Sequence, residues 1–216
     1  MGTHMDQYFG TYESFDTLSK KDAAVLLGAD NLVGDKYRVD IELENGEHRA
    51  WLVNRFDKRI GFFDASFSRK LSILQARDFE ITALLSFVAY TDHPDPGYYW
   101  GEMAVIGYDK RNKEAFDVYV EKVSTSMAEG KRPNVDLSED DVDRVVDSKG
   151  EWVSDSLVPL PAKAKGTAIM KSKRSLNERM IEQGRKGNIG CYIVSWAFIF
   201  ALVALAVFGL KSCGVF

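Results

Sequence analysis

Cysteine is nearly missing from this chain. Its 216 residues hold only Cys191 and Cys213, both near the C-terminus. Everything before Cys191 is therefore without thiol catalysis, cysteine-held zinc or a disulfide framework, which suits a reducing compartment. The two cysteines stand at opposite ends of one apolar run and cannot meet along a single helix, so an intrachain disulfide is excluded. Histidine is scarce as well: His4, His48 and His93 are the whole set. The sequence has no H-E-x-x-H pair, G-x-S-x-G elbow, Walker loop or dinucleotide fingerprint. No cofactor is expected, and an enzyme here would work through a carboxylate-based site without a recognisable motif.

A signal peptide is absent too, because the opening MGTHMDQYFG has no apolar core. It also lacks the Ser or Thr at position six that a myristoylation signal needs. Residues 1–13 read as a disordered N-terminus that starts with a tag remnant.

Charge is missing from one long stretch. No charged residue occurs from Ile189 to Leu210, in a chain that is 28% charged. A bilayer core of about 30 Å takes about 20 helical residues, and this run is apolar on every side. Residues 189–210 are therefore expected to form a transmembrane helix, with Tyr192 and Trp196 towards one interface. Lys171, Lys173, Arg174, Arg179, Arg185 and Lys186 precede the run, and only Lys211 follows it. Positive residues stay inside, which implies a cytoplasmic N-terminal part, residues 211–216 as a short external tail, and a tail-anchored protein in the cell membrane. The same six basic residues are the expected contacts to anionic lipid headgroups. Ala197 and Ala201 form a small-xxx-small pair suited to a helix–helix homodimer.

The net charge of −4 conceals a division. Residues 1–160 carry 19 Lys and Arg against 30 Asp and Glu, whereas residues 161–188 carry eight against two. The pattern implies an acidic head and a basic stalk.

Along the head, FDTLSKKDAAVLLGAD reads as a helix. KYRVDIEL and HRAWLVN alternate as strands around Asn45-Gly46, a two-residue hairpin turn. RIGFF is a short strand, and Asp64 or Ser66 caps a helix with Leu71, Ile73 and Leu74 inward. FEITALLSFVAYT and YYWGEMAVIGYD are long strands. Phe116, Tyr119, Val120, Val123 and Met127 fall at helical spacing. Ser138 and Asp141 make a capping box for an acidic helix. These elements predict an α+β fold: a small β-rich, barrel-like domain over residues 14–148 with flanking helices. A linker and juxtamembrane stalk (149–188) and the single transmembrane helix follow.

Two stretches carry candidate chemistry. Between residues 55 and 70, Arg55, Lys58, Arg59, Arg69 and Lys70 alternate with Phe56, Phe62, Phe63 and Phe67. Cations neutralise phosphates and aromatic faces stack on unpaired bases, so the set suits single-stranded nucleic acid, with Phe62 as a stacking ring. The bland alternative is that the phenylalanines are core and the charges their solvated edge. In TDHPDPGYYWGE, Asp92, His93 and Asp95 are a candidate metal set, while the prolines make the stretch a rigid turn.

The segment RIGFFDASFSRKLSIL, residues 59–74, resembles the strand-then-helix of HIRAN domains. That resemblance implies a small β-barrel that binds ends of single-stranded DNA, with Arg59, Ile60, Gly61 and Phe62 on its short strand. The acidic head argues against nucleic acid. The preferred reading is a non-enzymatic adaptor that binds an unknown protein partner beside the membrane. A tethered single-strand binder and an enzyme with a carboxylate site are the alternatives.

Overall fold

In the computed structural model the described residues are 7–19, 24–162, 164–185 and 193–203. They fall in two units, divided between Arg174 and Ser175. In the first, seven strands are β1 (Tyr8–Asp16), β2 (Lys36–Glu44), β3 (Glu47–Val53), β4 (Arg59–Phe62), β5 (Phe79–Thr91), β6 (Tyr98–Asp109) and β7 (Thr167–Lys171). Its helices are α1 (Ala65–Ala76), α2 (Lys113–Ala128) and α3 (Glu139–Asp147).

Six strands close into an antiparallel barrel in the order β2-β3-β4-β1-β6-β5, and β5 returns to β2 through Lys36↔Leu84, Tyr37↔Ala83 and Arg38↔Thr82. Asn45 and Gly46 both take positive φ, as the tight β2–β3 turn requires. A register shift between Leu85 and Phe87 lets β5 leave β2 and pair with β7 instead.

Side chains alternate across the barrel wall. Phe9, Phe15, Leu52, Ile60, Leu85 and Met103 are among those that fill the interior, and α1 closes it with Phe67, Leu71 and Leu74. Asp64 caps α1 by accepting from the Phe67 N–H at 2.8 Å. Ile73, expected inward, is 46% exposed: α1 buries the stripe Phe67–Leu71–Leu74 and turns Ile73 away. The Phe15 ring fits because Gly61 and Gly101 flank it. A Cβ on either would lie 2.6 or 2.7 Å from a ring carbon. On the outer face α2 and α3 cover Ala104, Ile106 and Tyr108 with Phe116, Tyr119, Val123 and Val145.

Several boundaries differ from expectation. The presumed disordered N-terminus contributes β1, with Tyr8 and Phe9 buried. Tyr8 and Tyr12 face outward and donate to the carbonyls of Val135 and Pro133, both at 2.8 Å, so aromatic residues on both faces hold this strand in place. Residues 149–174, expected as linker and stalk, belong to the first unit and supply β7. The expected helix over FDTLSKKDAAVLLGAD is reduced to a 3₁₀ turn at Val25–Leu27, with residues 20–23 outside the described residues.

The second unit holds α4 (Leu176–Arg185) and a helical stretch over residues 193–203. The fold expectation of a transmembrane helix is corrected here. No helix among the described residues is long and apolar enough to cross a membrane. The remainder of the expected span 189–210 and the tail 211–216 lie outside the described residues. The tail-anchored, single-pass assignment that rested on that helix falls with it.

Candidate functional site

The structure disperses the residues singled out between 55 and 70. Phe63 and Phe67 are buried in the barrel core, unable to stack on a base. Phe62 is half-buried, edge-on to Trp51 with Arg49 over its ring at 4.7 Å. Phe56 is 48% exposed. Arg59 pairs with Glu42, and its guanidinium sits 5.0 Å from the Trp51 ring centre. Arg55 pairs with Asp35 at 3.0 Å. Lys58 is exposed on the β3–β4 turn. Arg69 lines a shallow cleft of about 410 Å³ with His48 and Ser66. Lys70 lies on the other side of α1, its ammonium 4.4 Å from the Phe9 ring centre. The five cations form no common phosphate track, and two of them are already matched by carboxylates.

Asp92, His93 and Asp95 lie at the tip of the β5–β6 hairpin. Among the described residues no group of three or more His, Cys, Asp and Glu is placed to hold a metal ion. The His93 ring instead contacts the Asp92 carbonyl at 3.1 Å.

The basic residues assigned to headgroups separate into two kinds. Lys171 is buried and donates to the carbonyl of Asn31 at 2.8 Å. Arg174 donates to the Val33 carbonyl at 2.7 Å and pairs with the Asp35 carboxylate at 3.1 Å, with its side chain only 10% exposed. These two tie β7 to the loop before β2, so they face protein, not lipid. Lys173 is exposed, with its Cβ near Gly130. Arg179 and Arg185 lie on α4, where Arg185 pairs with Glu182 at 3.8 Å. Lys186 lies outside the described residues, and Ala197 and Ala201 lie in the helical stretch 193–203.

The open feature of the fold lies elsewhere, at the seam between β1 and β4. These two strands share a single pair, Asp16↔Phe62. After Phe62 the chain leaves the sheet for α1, while β1 continues beside β6 from Asp16 back to Tyr8. The Asp109 N–H donates to the Gln7 carbonyl at 3.0 Å. Antiparallel pairs alternate, so Phe9, Thr11, Glu13 and Phe15 direct their backbone groups at β6. Tyr8, Gly10, Tyr12 and Ser14 direct theirs at the seam. No strand among the described residues pairs with that edge over residues 8–15; the Tyr12 carbonyl accepts from the Thr11 hydroxyl at 3.4 Å, and the Ser14 N–H donates to the Glu13 carboxylate. Ser14 is exposed and Tyr12 and Glu13 are half-buried.

Glu13 belongs to the inward row of β1, with Phe9 and Phe15, yet the missing β4 leaves it half-open to solvent. Burial raises its carboxyl pKa above the ordinary value, and the nearby Asp64 carboxylate raises it further; the Ser14 N–H and Lys70 pull it down. A group whose folded pKa is raised contributes stability below its unfolded pKa, about 4.3, and loses that contribution as pH rises through the folded value. Glu13→Gln is therefore expected to raise Tm at pH 7 and to leave it nearly unchanged at pH 4. A lower Tm at pH 7 would mean that the charged carboxylate supports the fold. Glu13 falls in the stretch that reads as a disordered N-terminus, so composition alone does not mark it. The signal was present in YFGTYESFD, where Phe9, Phe15 and Tyr8, Tyr12 occupy opposite faces of a strand.

No family model, no curated protein and no solved structure matches this chain.

Proposed function

We propose that the first unit is a non-enzymatic binding module that takes an extended segment of a partner protein as an added strand along β1. The observation that carries this reading is the unpaired edge of β1 beyond Asp16. Main-chain groups there offer donors and acceptors every second residue, which is how a sheet edge captures a peptide. The guest would continue the line that β4 abandons at Phe62, antiparallel to β1. The exposed and half-buried part of the edge, from Ser14 to Tyr12, runs about 7 Å, and Gly10 beyond it is buried.

Proline tests it at one position. The Ser14 N–H points to the seam, so Ser14→Pro removes a donor for the guest and leaves the β6 ladder intact. Nonapeptides selected from a random displayed library on the immobilised full chain should lose about tenfold or more in affinity with this variant, one hydrogen bond's worth. Arg59→Glu should leave them unaffected. Selected peptides that bind the Ser14→Pro chain as tightly as the parent would locate the site elsewhere.

A further inference from the structure

We infer that the segment captured along β1 carries a lysine or arginine at the position opposite Glu13. The inference rests on the strand-addition reading above and specifies its chemistry. A guest strand paired with β1 places one side chain directly across from each β1 residue, with Cβ atoms about 4.5–5.5 Å apart and on the same face. The residue opposite Glu13 therefore enters the seam on the inward side. It meets a carboxylate there, with the Asp64 carboxylate at the start of α1 close enough to act on Glu13 electrostatically. Among the described residues Glu13 also acts on Glu102, whose charge is matched by Arg132, while Lys70, the cation that acts on Glu13 itself, rests its ammonium on the Phe9 ring. Two carboxylates against one ammonium leave the seam short of one positive charge.

Each alternative side chain fares worse. An apolar residue would bury Glu13 further without a partner, and an acidic one would set three carboxylates together; directly opposed like charges are unfavourable in a sheet. A basic side chain completes the balance. Its long methylene stem can lie along Thr11 while the charged end reaches the carboxylates.

The test uses the same library selected on the full chain, with Glu13→Gln and Asp64→Asn as variants. Asparagine keeps the α1 cap while removing the charge. The expected result is a consensus with Lys or Arg at one fixed position. Replacing that residue by norleucine should weaken binding about tenfold or more in the parent chain. In the Glu13→Gln, Asp64→Asn chain it should change binding little. Peptides that lose binding on Ser14→Pro but show no basic preference would overturn this inference and leave the edge reading standing. Peptides indifferent to Ser14→Pro, or no selected peptide at all, would overturn both.

Discussion

Asp35→Ala is expected to lower folding stability by about 3–5 kcal/mol, the usual consequence of leaving a buried charge without its partner. The Asp35 side chain is 8% exposed and accepts from Arg174 at 3.1 Å, Arg55 at 3.0 Å and the Leu32 N–H at 2.9 Å. Its loss leaves Arg174 buried with a single carbonyl contact. Arg174→Ala should cost about as much. Arg55→Ala should cost less, about 1 kcal/mol, because its side chain is 34% exposed and water can replace the contact. Deleting residues 166–216 should destabilise at least as much as Arg174→Ala, since it removes β7 and both tethers. Urea unfolding followed by tryptophan fluorescence measures all four. Equal, small losses for Asp35→Ala and Arg55→Ala would show that the cluster holds little of the fold.

Arg132→Ala should be comparably severe, by about 3–5 kcal/mol. Arg132 is 6% exposed and pairs with Glu102 on β6, with its guanidinium 4.5 Å from the Tyr12 ring centre. It also donates to the Pro159 carbonyl at 3.1 Å, fastening the 156–160 segment against the barrel. Burial already raises the Glu102 pKa, with Arg132 as the chief opposing influence. Without Arg132 the carboxyl rises further. A raised folded pKa means stability lost as pH climbs through it, so the deficit of the variant should be largest near neutral pH and shrink towards pH 4. The pair Glu102→Leu, Arg132→Met should recover much of the loss, because apolar replacement of both partners leaves no orphaned charge. A deficit independent of pH would assign the effect to packing of Arg132 alone.

The sequence disclosed most of this architecture where periodicity was strong. The hairpin at Asn45-Gly46, the long strands ending at Thr91 and Asp109, and the stripe Phe116–Tyr119–Val120–Val123–Met127 are local patterns, and local patterns are legible. Three things were not. β1 begins four residues after a segment that reads as a tag, and its alternating aromatics are the one local sign of a strand. β7 is five residues long with Lys171 buried, so its strand character depends on β5 and on the carbonyls of Gly28 and Asn31. Lys171 and Arg174 sit in a run of basic residues, and charge patterning cannot distinguish a cation that meets lipid from one that meets Asp35. The candidate site shares this property. Arg55, Arg59 and Phe67 are conspicuous together in sequence and go to different places, whereas Glu13 and Asp64 are 51 positions apart and act on each other electrostatically across the seam. An unpaired edge is a fact of topology, and no residue announces it.

Amide hydrogen exchange along β1, read residue by residue by NMR in the full chain, bears most directly on the strand-addition account. In the free protein the amides of Thr11, Glu13 and Phe15 should exchange slowly, held by β6, while those of Tyr12 and Ser14 exchange fast. With a selected peptide bound, Tyr12 and Ser14 should slow to match their neighbours. If Tyr12 and Ser14 are already slow in the free chain, or stay fast with the peptide bound, β1 has no open edge for a partner and the account is wrong.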